Sequence, residues 1–422
     1  MLFMEISHES FSSMENIKKK MIGIELDDSE IKGIINDICN DKLNDVEIAG
    51  FIFSQQMKGL SIKEIVAMIN AFVDTGSRIN FGIKTIYDKH STGGVPGNKV
   101  TLLIVPIVAA AGLVIPKTCS RAITSPSGTA DTMEVLAPVQ FKSSEMIEMA
   151  NKTNGIIVEA SKDICPVDYK IIQVERYLHL NPESQMVASI LSKKVAMGIN
   201  KLVLDVPIEG TKIATMEEGQ RIARKLVDIG KQLDIEIQAG ITYGGQPVGN
   251  CIGPALEAQE AIEALTTCRV DSLVEKSISL AGMLLEMSNF KKGKGRKQAL
   301  EILKNGKAKQ KFLEIIEIQG GDIKNINDIQ IGQYDAKIHA SQDGYITRVN
   351  NSILNQIAVL AGAPFDKGAG IKILGKRGDK ISNGDVLLEI FSESETKLTK
   401  ATSRALENPP ILVEGMLLDK IN

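Results

Sequence analysis

The feature that most restricts the fold of this chain is an alternation of short apolar runs with helical segments between residues 155 and 242. The runs GIIVEA (155–160), NKLVLDVPI (200–208) and IEIQAGIT (235–242) have the length of strands. The segment TMEEGQRIARKLVDIGKQLD, between the last two runs, repeats its apolar residues at helical spacing. Such alternation is typical of a mostly parallel sheet with helical crossovers. The sequence therefore predicts an α/β domain with a mixed or parallel sheet.

Two helical regions lie outside this alternation. Residues 14–75 carry helical spacing throughout, and LSIKEIVAMINAFVDTG opens on Ser61 with Glu64 three residues later, the pattern of a capping box. A second helical passage, residues 165–199, interrupts the strands. The simplest geometry folds this passage back onto the first region. This predicts a discontinuous helical domain hinged to the sheet domain.

The C-terminal part of the chain has a different character. It consists of short strands and glycine-rich turns, as in GAGIKILGKRGDKISNGDVLLEIFS, and predicts a C-terminal α+β domain. The predicted division assigns residues 1–75 and 165–199 to the helical domain. Residues 76–164 and 200–332 form the α/β domain, whose first part binds phosphate, and residues 333–422 form the C-terminal domain.

Composition and targeting signals restrict the function classes. The formal charge of −3 provides no basic excess for nucleic-acid binding. The five cysteines are odd in number and lack CxxC spacing, and the four histidines are scattered, so we expect reduced thiols and no metal site. The apolar stretch 100–116 is shorter than the roughly 20 residues of a membrane span, and the N-terminus lacks a secretory pattern. We expect a cytoplasmic protein without a membrane or nucleic-acid partner.

The segment DKHSTGGVPGNKVT (88–101) places glycines between a predicted strand and an apolar helix. Backbone N–H groups in such a loop, together with the helix N-terminus, favour an anion. Lys89, Ser91, Thr92 and Lys99 would add charge-assisted and hydroxyl hydrogen bonds, so phosphate is the predicted ligand. The segment is not a P-loop, because no Gly-Lys-Ser/Thr run is present. A plain turn is the alternative.

Two further segments carry polar side chains suited to a ligand. In KTCSRAITSPSGTADTMEVL (117–136), hydroxyl residues surround Arg121 ahead of a predicted helix, although Thr129 or Asp131 alone would explain a helix cap. In ASILSKKVAMG, Ser189 and Lys193 lie four residues apart and share one helix face. The alternative for this pair is a solvated helix surface.

Together, KHSTGGV, SRAITSPSGTADTMEVLA, ASILSKK and GGQPVGNCIGPALEA resemble the thymidine phosphorylase and pyrimidine-nucleoside phosphorylase superfamily. The form with GGVPGNK and SRAITSPSGTADTMEVL is most similar to the AMP phosphorylase branch, which includes bacterial type 2 thymidine phosphorylases. The resemblance covers nearly the whole chain. It implies the three domains described above in a homodimer or larger homo-oligomer. It also implies a pentosyltransferase that needs no cofactor and uses inorganic phosphate as co-substrate.

The resemblance also implies roles for individual residues. The catalytic candidates are Lys89, His90, Asn181 and Lys193. The phosphate site comprises Lys89, Ser91, Gly94, Thr101 and Thr129. The nucleotide and base contacts are Ser120, Arg121, Ala122, Ile123, Thr124, Ser125, Ser189, Lys193 and Lys212, of which Lys212 meets the nucleotide phosphate.

The chain departs from the AMP branch at two places. Asn181-Pro182 stands where that branch has an Asp-Pro whose aspartate is the proposed proton donor. The chain also begins near the helical domain, without the additional N-terminal domain of archaeal AMP phosphorylases. An asparagine cannot protonate a leaving adenine, which favours a base such as uracil that leaves without an acid.

The predicted reaction is phosphorolysis of a nucleoside 5′-monophosphate, namely AMP plus phosphate giving adenine and ribose 1,5-bisphosphate. The first alternative is a thymidine or pyrimidine-nucleoside phosphorylase acting on an unphosphorylated nucleoside. A glycosyltransferase working in the synthetic direction would use the same site. A non-catalytic nucleotide-binding regulator is the alternative from another functional class.

Overall fold

The computed structural model describes residues 8–122, 125–160, 164–180, 182–322, 328–417 and 421. Three of the predicted site residues, Ile123, Thr124 and Asn181, lie outside the described residues.

The helices and strands follow one another along the chain as the alternation predicts. The helices are α1 (His8–Met21), α2 (Asp28–Cys39), α3 (Asp45–Lys58), α4 (Ile62–Asp74), α5 (Thr101–Ala110), α6 (Thr129–Glu134), α7 (Ser143–Thr153), α8 (Pro166–Leu178), α9 (Glu183–Ala196), α10 (Met216–Gln232), α11 (Pro254–Thr267), α12 (Ser272–Glu286), α13 (Gly295–Lys304), α14 (Lys307–Ile318), α15 (Asn351–Ala361) and α16 (Glu395–Glu407). The strands are β1 (Tyr87–Ser91), β2 (Ile115–Cys119), β3 (Gly155–Glu159), β4 (Lys201–Ile208), β5 (Glu236–Tyr243), β6 (Cys251–Ile252), β7 (Tyr334–His339), β8 (Gly344–Val349), β9 (Gly370–Ile373), β10 (Lys380–Ile381), β11 (Val386–Ser392) and β12 (Ile411–Glu414).

The chain divides into two compact units. The first comprises residues 1–86, 160–202 and 224–237, and the second comprises residues 87–159, 203–223 and 238–422. The first unit brings α8 and α9 together with α1 to α4, so the predicted discontinuous helical region is confirmed. The boundary at residue 333 remains a prediction from the change in sequence character.

The helices of the first unit begin at side-chain caps. Asp27, Asn44 and Ser61 each accept a hydrogen bond from the backbone three residues later, where a glutamate completes a capping box. The capping box predicted at Ser61 is therefore confirmed. Its Glu64 also forms a buried ion pair with Lys20 at 2.8 Å, which ties α4 to α1. Capping satisfies backbone donors that would otherwise be left without a partner at each helix start.

The α/β part of the second unit is built on strands that end near the candidate ligand loops. One sheet has the order β1-β4-β5, and β2 pairs with β3 in parallel from Ile115 beside Gly155 to Cys119 beside Glu159. A backbone bond from Tyr87 to Val114 (2.8 Å) leads from β1 towards β2. Because parallel strands end at one edge, the loops after β2 and β3 emerge side by side.

The apolar stretch 100–116 is divided between two buried elements. Residues 101–109 of α5 are buried, Pro106 lies inside that helix, and the stretch continues into β2. The apolar helix predicted after the glycine-rich segment is therefore present as α5, and it is buried. None of the helices in the described ranges combines the length and the apolar character that crossing a bilayer requires.

The C-terminal part has its own apolar core. Antiparallel sheets with the orders β6-β9-β11-β7 and β10-β8-β12 enclose residues such as Ile346, Ile371 and Leu388, which are 0–1% exposed. The short strand β6 comes from the α/β part and pairs with β9. These strands and the helices α15 and α16 form the predicted C-terminal α+β arrangement.

Candidate active site

The loop after β1 is organised around one buried carboxylate, Asp205 of β4, which is 0% exposed. The Ser91 hydroxyl donates to Asp205 Oδ2 at 2.9 Å, and the Asn98 amide donates to the same oxygen at 3.1 Å. Thr242 of β5 donates to Oδ1 at 2.6 Å. The Thr92 N–H donates to the backbone carbonyl of Asp205 at 3.0 Å. Asp205 therefore fixes both ends of the polar segment that follows β1.

Lysine side chains surround this carboxylate. Lys276 Nζ of α12 lies 3.0 Å from Asp205 Oδ2, and Lys89 Nζ lies 3.8 Å from the same oxygen. The neighbouring Lys117 Nζ lies 3.5 Å from Asp88 Oδ1. Burial opposes the ionised form of Asp205, but attraction to Lys276 and Lys89 outweighs it and lowers the pKa of Asp205 to about 2. Asp205 is therefore ionised throughout the neutral range.

The far end of the loop is held by a second buried group. Lys99 Nζ forms an ion pair with Glu260 and donates to the carbonyls of Val248 (3.2 Å) and Cys251 (2.9 Å). Gly97 packs so closely on these two carbonyls that a Cβ at this position would lie 2.7–2.8 Å from their oxygens. The loop consequently requires glycine at position 97, and Lys99 serves as its anchor.

The pKa values of the two acids beside this anchor shift in opposite directions. Glu257 of α11 is 4% exposed, and burial raises its pKa to about 7. For Glu260, the attraction of Lys99 outweighs burial, so that its pKa is lowered. Lys376, from the C-terminal part, donates to Pro247 O at 2.9 Å, and burial lowers its pKa to about 8. Glu260 and Lys376 thus form hydrogen bonds with the turn at residues 247–251, and Gly97 of the loop packs against this turn.

The loop after β2 is shaped by Asp131 of α6, a buried residue. Its Oδ2 accepts from Ala122 N at 2.7 Å and from Gly128 N at 3.0 Å. A Cβ on Gly128 would lie 2.5 Å from Ala122 N and 2.6 Å from Ser120 O, so only glycine fits. Asp131 thus holds Ala122, which follows Ser120 at the end of β2, close to Gly128. Ser125 donates to Ser127 O at 3.2 Å, and Thr129 is the first residue of α6.

Arg121 forms hydrogen bonds with carboxylates of the protein itself. Its guanidinium donates to Glu134 at 2.6 and 2.7 Å, to Glu159 at 3.0 Å and to Asp131 at 3.3 Å. The hydrogen bonds with Glu134 outweigh burial and raise the pKa of Arg121. The same bonds lower the pKa of Glu134 to about 2. This network favours a role for Arg121 in shaping the loop, since its donors are already committed.

The remaining predicted residues of this unit lie on nearby loop and helix ends. Gly94, at φ +91°, packs against the loop after β4, where a Cβ would lie 3.1 Å from Thr211 Cβ and 3.6 Å from Lys212 N. Lys212 is exposed on that loop. Thr101 is buried as the first residue of α5, and His90 is half-buried in β1. The structure therefore brings the predicted phosphate loop and the loop of Lys212 into contact.

Ser189 and Lys193 belong to the first unit, where they form a cluster with Asp168 of α8. Ser189 Oγ donates to Asp168 Oδ2 at 3.0 Å, and Lys193 forms an ion pair with the same oxygen. Lys193 Nζ also donates to Ser189 Oγ at 2.9 Å. Burial raises the pKa of the adjacent Cys165 thiol to about 11, so this cysteine is a neutral neighbour. The pair is therefore oriented by a buried carboxylate and is not a simple solvated surface.

Three residues of these clusters, Asp205, Lys276 and Asp168, were not predicted from the sequence. Asp205 had a usable signal, because it is the only charged residue inside the apolar run LVLDVPI. Lys276 and Asp168 lie in ordinary amphipathic helices, and only tertiary contacts reveal their partners.

Comparisons with known proteins agree over most of the chain. Residues 83–309 match the model of the glycosyl transferase family a/b domain, residues 14–76 its helical bundle domain, and residues 345–411 the pyrimidine nucleoside phosphorylase C-terminal domain. The AMP phosphorylase of Methanosarcina acetivorans is 48% identical over 411 residues, covering 96% of this chain and 81% of that protein. The AMP phosphorylase of Methanocaldococcus jannaschii is 47% identical over 419 residues, covering 98% and 83%.

A solved structure also shares the fold. The anthranilate phosphoribosyltransferase of Thermus thermophilus superposes with a TM-score of 0.62 at 18% identity, covering 72% of this chain and 99% of that one. At this identity the likeness concerns the fold alone.

Proposed function

The chain belongs to the glycosyl transferase family that contains the AMP phosphorylases, and from this premise we propose that it catalyses phosphorolysis of AMP. Inorganic phosphate would displace adenine from the anomeric carbon, giving adenine and ribose 1,5-bisphosphate. The observation that carries the proposal is the lysine and hydroxyl cluster around Asp205, at the mouth of a glycine-rich loop. A tetrahedral oxyanion is the ligand that this combination of cations, hydroxyls and backbone N–H groups recognises.

The chemistry assigns distinct tasks to the residues. As the glycosidic bond breaks, the sugar gains oxocarbenium character, so an anionic nucleophile must be held in place beside it. Lys89 and Ser91 are assigned to the inorganic phosphate, and Thr129 to the same group from the start of α6. Lys212 is assigned to the 5′-phosphate, because its loop packs against Gly94.

The departing base is assigned to Ser189 and Lys193. Asp168 holds both side chains through one carboxylate oxygen, which fixes the direction in which the Lys193 ammonium points. Asn181 carries no acidic proton, so the cation assigned to the developing charge on the base is Lys193. No cofactor is needed in this scheme, because phosphate is the second substrate.

The alternative is a pyrimidine-nucleoside phosphorylase, and Asn181 is the observation that favours it. Uracil and thymine leave as stabilised anions without an acid. The test is a panel of AMP, CMP, UMP, adenosine, uridine and thymidine incubated with and without phosphate, with release of free base measured. Base release from AMP that depends on phosphate supports the proposal, whereas release from uridine or thymidine alone establishes the alternative. Binding of AMP without any release would indicate a regulator.

We further propose that the protein is a cytoplasmic homodimer. All five cysteines lie among the described residues and none forms a disulfide, which suits the reducing conditions of the cytoplasm.

An exposed apolar face of α3 supports the dimer. Along this helix, Val46, Phe53 and Met57 are 81%, 45% and 76% exposed at the spacing of one helix face. Such a stripe suits a second copy of the chain. Light scattering after size-exclusion chromatography should give twice the 45.7 kDa chain mass, and a monomer for Met57→Glu.

A further inference from the structure

Lys276 of α12 is a cation with a buried side chain, and it lies outside the motifs on which the site residues were predicted. Its side chain is 9% exposed, and its Nζ lies 3.0 Å from Asp205 Oδ2. The geometry of this ion pair is not that of a hydrogen bond, and Nζ donates to no acceptor within the described part of the chain although it is shielded from solvent. Its N–H donors are therefore available to a ligand.

A buried ammonium with uncommitted donors is costly unless a ligand satisfies it. The ion pairs described around it also join more cations than carboxylates. Lys89, Lys117 and Lys276 carry three positive charges, whereas Asp88 and Asp205 carry two negative ones. An oxyanion seated against the loop would both accept hydrogen bonds from Lys276 and balance the excess charge.

We propose that Lys276 is a second phosphate-binding cation of the active site, next to Lys89. The assignment rests on the proposed function and concerns the inorganic phosphate. Lys276 contacts the same oxygen, Asp205 Oδ2, that Ser91 of the loop after β1 contacts. Lys212, assigned to the 5′-phosphate, lies instead on the loop after β4.

The test measures binding of inorganic phosphate by calorimetry at fixed ionic strength, with no nucleotide present. Lys276→Met should raise the Kd for phosphate by about 10- to 100-fold, the effect of losing one charged hydrogen-bonding partner. Lys297→Met is the matched control, because it removes the same charge from an exposed side chain of α13 and should leave the Kd unchanged. Since no AMP is used, the result is independent of which nucleotide the enzyme accepts.

A second comparison separates contact with phosphate from support of Asp205. Lys276→Met is measured again in the Asp205→Asn background, where no carboxylate is left for the lysine to hold. Lys276→Met alone leaves the buried Asp205 carboxylate without this cation, which could unfold the protein. The double variant removes that carboxylate charge as well. We expect the same 10- to 100-fold loss relative to Asp205→Asn alone. An unchanged Kd in Lys276→Met, or a loss that disappears in the Asp205→Asn background, would overturn the proposal.

Discussion

Replacing Glu257 by glutamine should stabilise the protein above neutral pH and leave its stability unchanged in mild acid. Glu257 is buried on α11 beside Lys99 and Glu260, and burial raises its pKa from the ordinary 4.5 to about 7. The unfolded chain releases this proton near pH 4.5, whereas the folded protein retains it up to about pH 7. The free energy of unfolding therefore falls as pH rises through this window, and the loss is complete above pH 7.

The magnitude follows from the two pKa values. Their difference, between 4.5 and about 7, corresponds to about 3–4 kcal/mol at about 1.4 kcal/mol for each pH unit. Glutamine carries no charge and retains the carbonyl oxygen that accepts from Gly253 N at 3.1 Å. We therefore expect Glu257→Gln to gain about 3 kcal/mol at pH 8 and nearly nothing at pH 4.5.

The assay is urea denaturation of wild type and Glu257→Gln between pH 4.5 and 8. Glu301→Gln, on an exposed position of α13, serves as the control and should change the free energy of unfolding by less than about 0.5 kcal/mol at every pH. If the free energies of unfolding of wild type and Glu257→Gln differ by an amount that does not depend on pH, the raised pKa of Glu257 is excluded as the cause. So would a variant that is less stable than wild type at pH 8.

Three further predictions concern the site. Lys89→Met should lower phosphorolysis by about 10²–10³-fold in kcat/KM for phosphate with the fold retained, and a lowered Tm with full specific activity would contradict this. Gly128→Ala should destabilise the loop after β2 by about 1–3 kcal/mol and raise the KM for nucleotide, because its Cβ meets backbone atoms at 2.5–2.6 Å. Gly33→Ala in α2 is its control, because a Cβ at this position would have no neighbouring atom within 4 Å, and it should be neutral or stabilising. Asn181→Asp should raise kcat/KM for adenine substrates relative to uracil substrates, most strongly in mild acid, whereas an unchanged ratio in both Asn181→Asp and Asn181→Ser excludes a proton-donor position.

The sequence predicts the elements of this fold well, because their signals are local. The capping box at Ser61 and Glu64 marks the start of α4, and the run LVLDVPI marks β4. The same kind of signal locates the glycine-rich loop after β1. Local patterns do not specify which residues meet across the fold. Ser91 and Asp205 are 114 residues apart in the chain and form one hydrogen bond.

Contacts of this kind explain what the sequence left open. In the sequence, Arg121 resembles a ligand-binding cation among hydroxyl residues. In the structure it donates hydrogen bonds to Glu134 and Glu159. The helical and strand patterns that contain these two glutamates do not predict this contact. Ser189 and Lys193 look like a solvated pair, yet Asp168 from the preceding helix orients them. In each case carboxylates from other elements bind the cation, and their positions depend on tertiary packing.

AMP phosphorolysis is tested by ³¹P NMR of the purified protein incubated with AMP and inorganic phosphate, with adenine quantified in the same sample. We expect ribose 1,5-bisphosphate and adenine to appear in equal amounts, and neither to form without phosphate. Arsenate in place of phosphate should still release adenine, because the proposed phosphate site would bind any tetrahedral oxyanion. Adenine release at the same rate in buffer free of phosphate and arsenate would contradict the claim, as would AMP that stays intact while uridine or thymidine is cleaved.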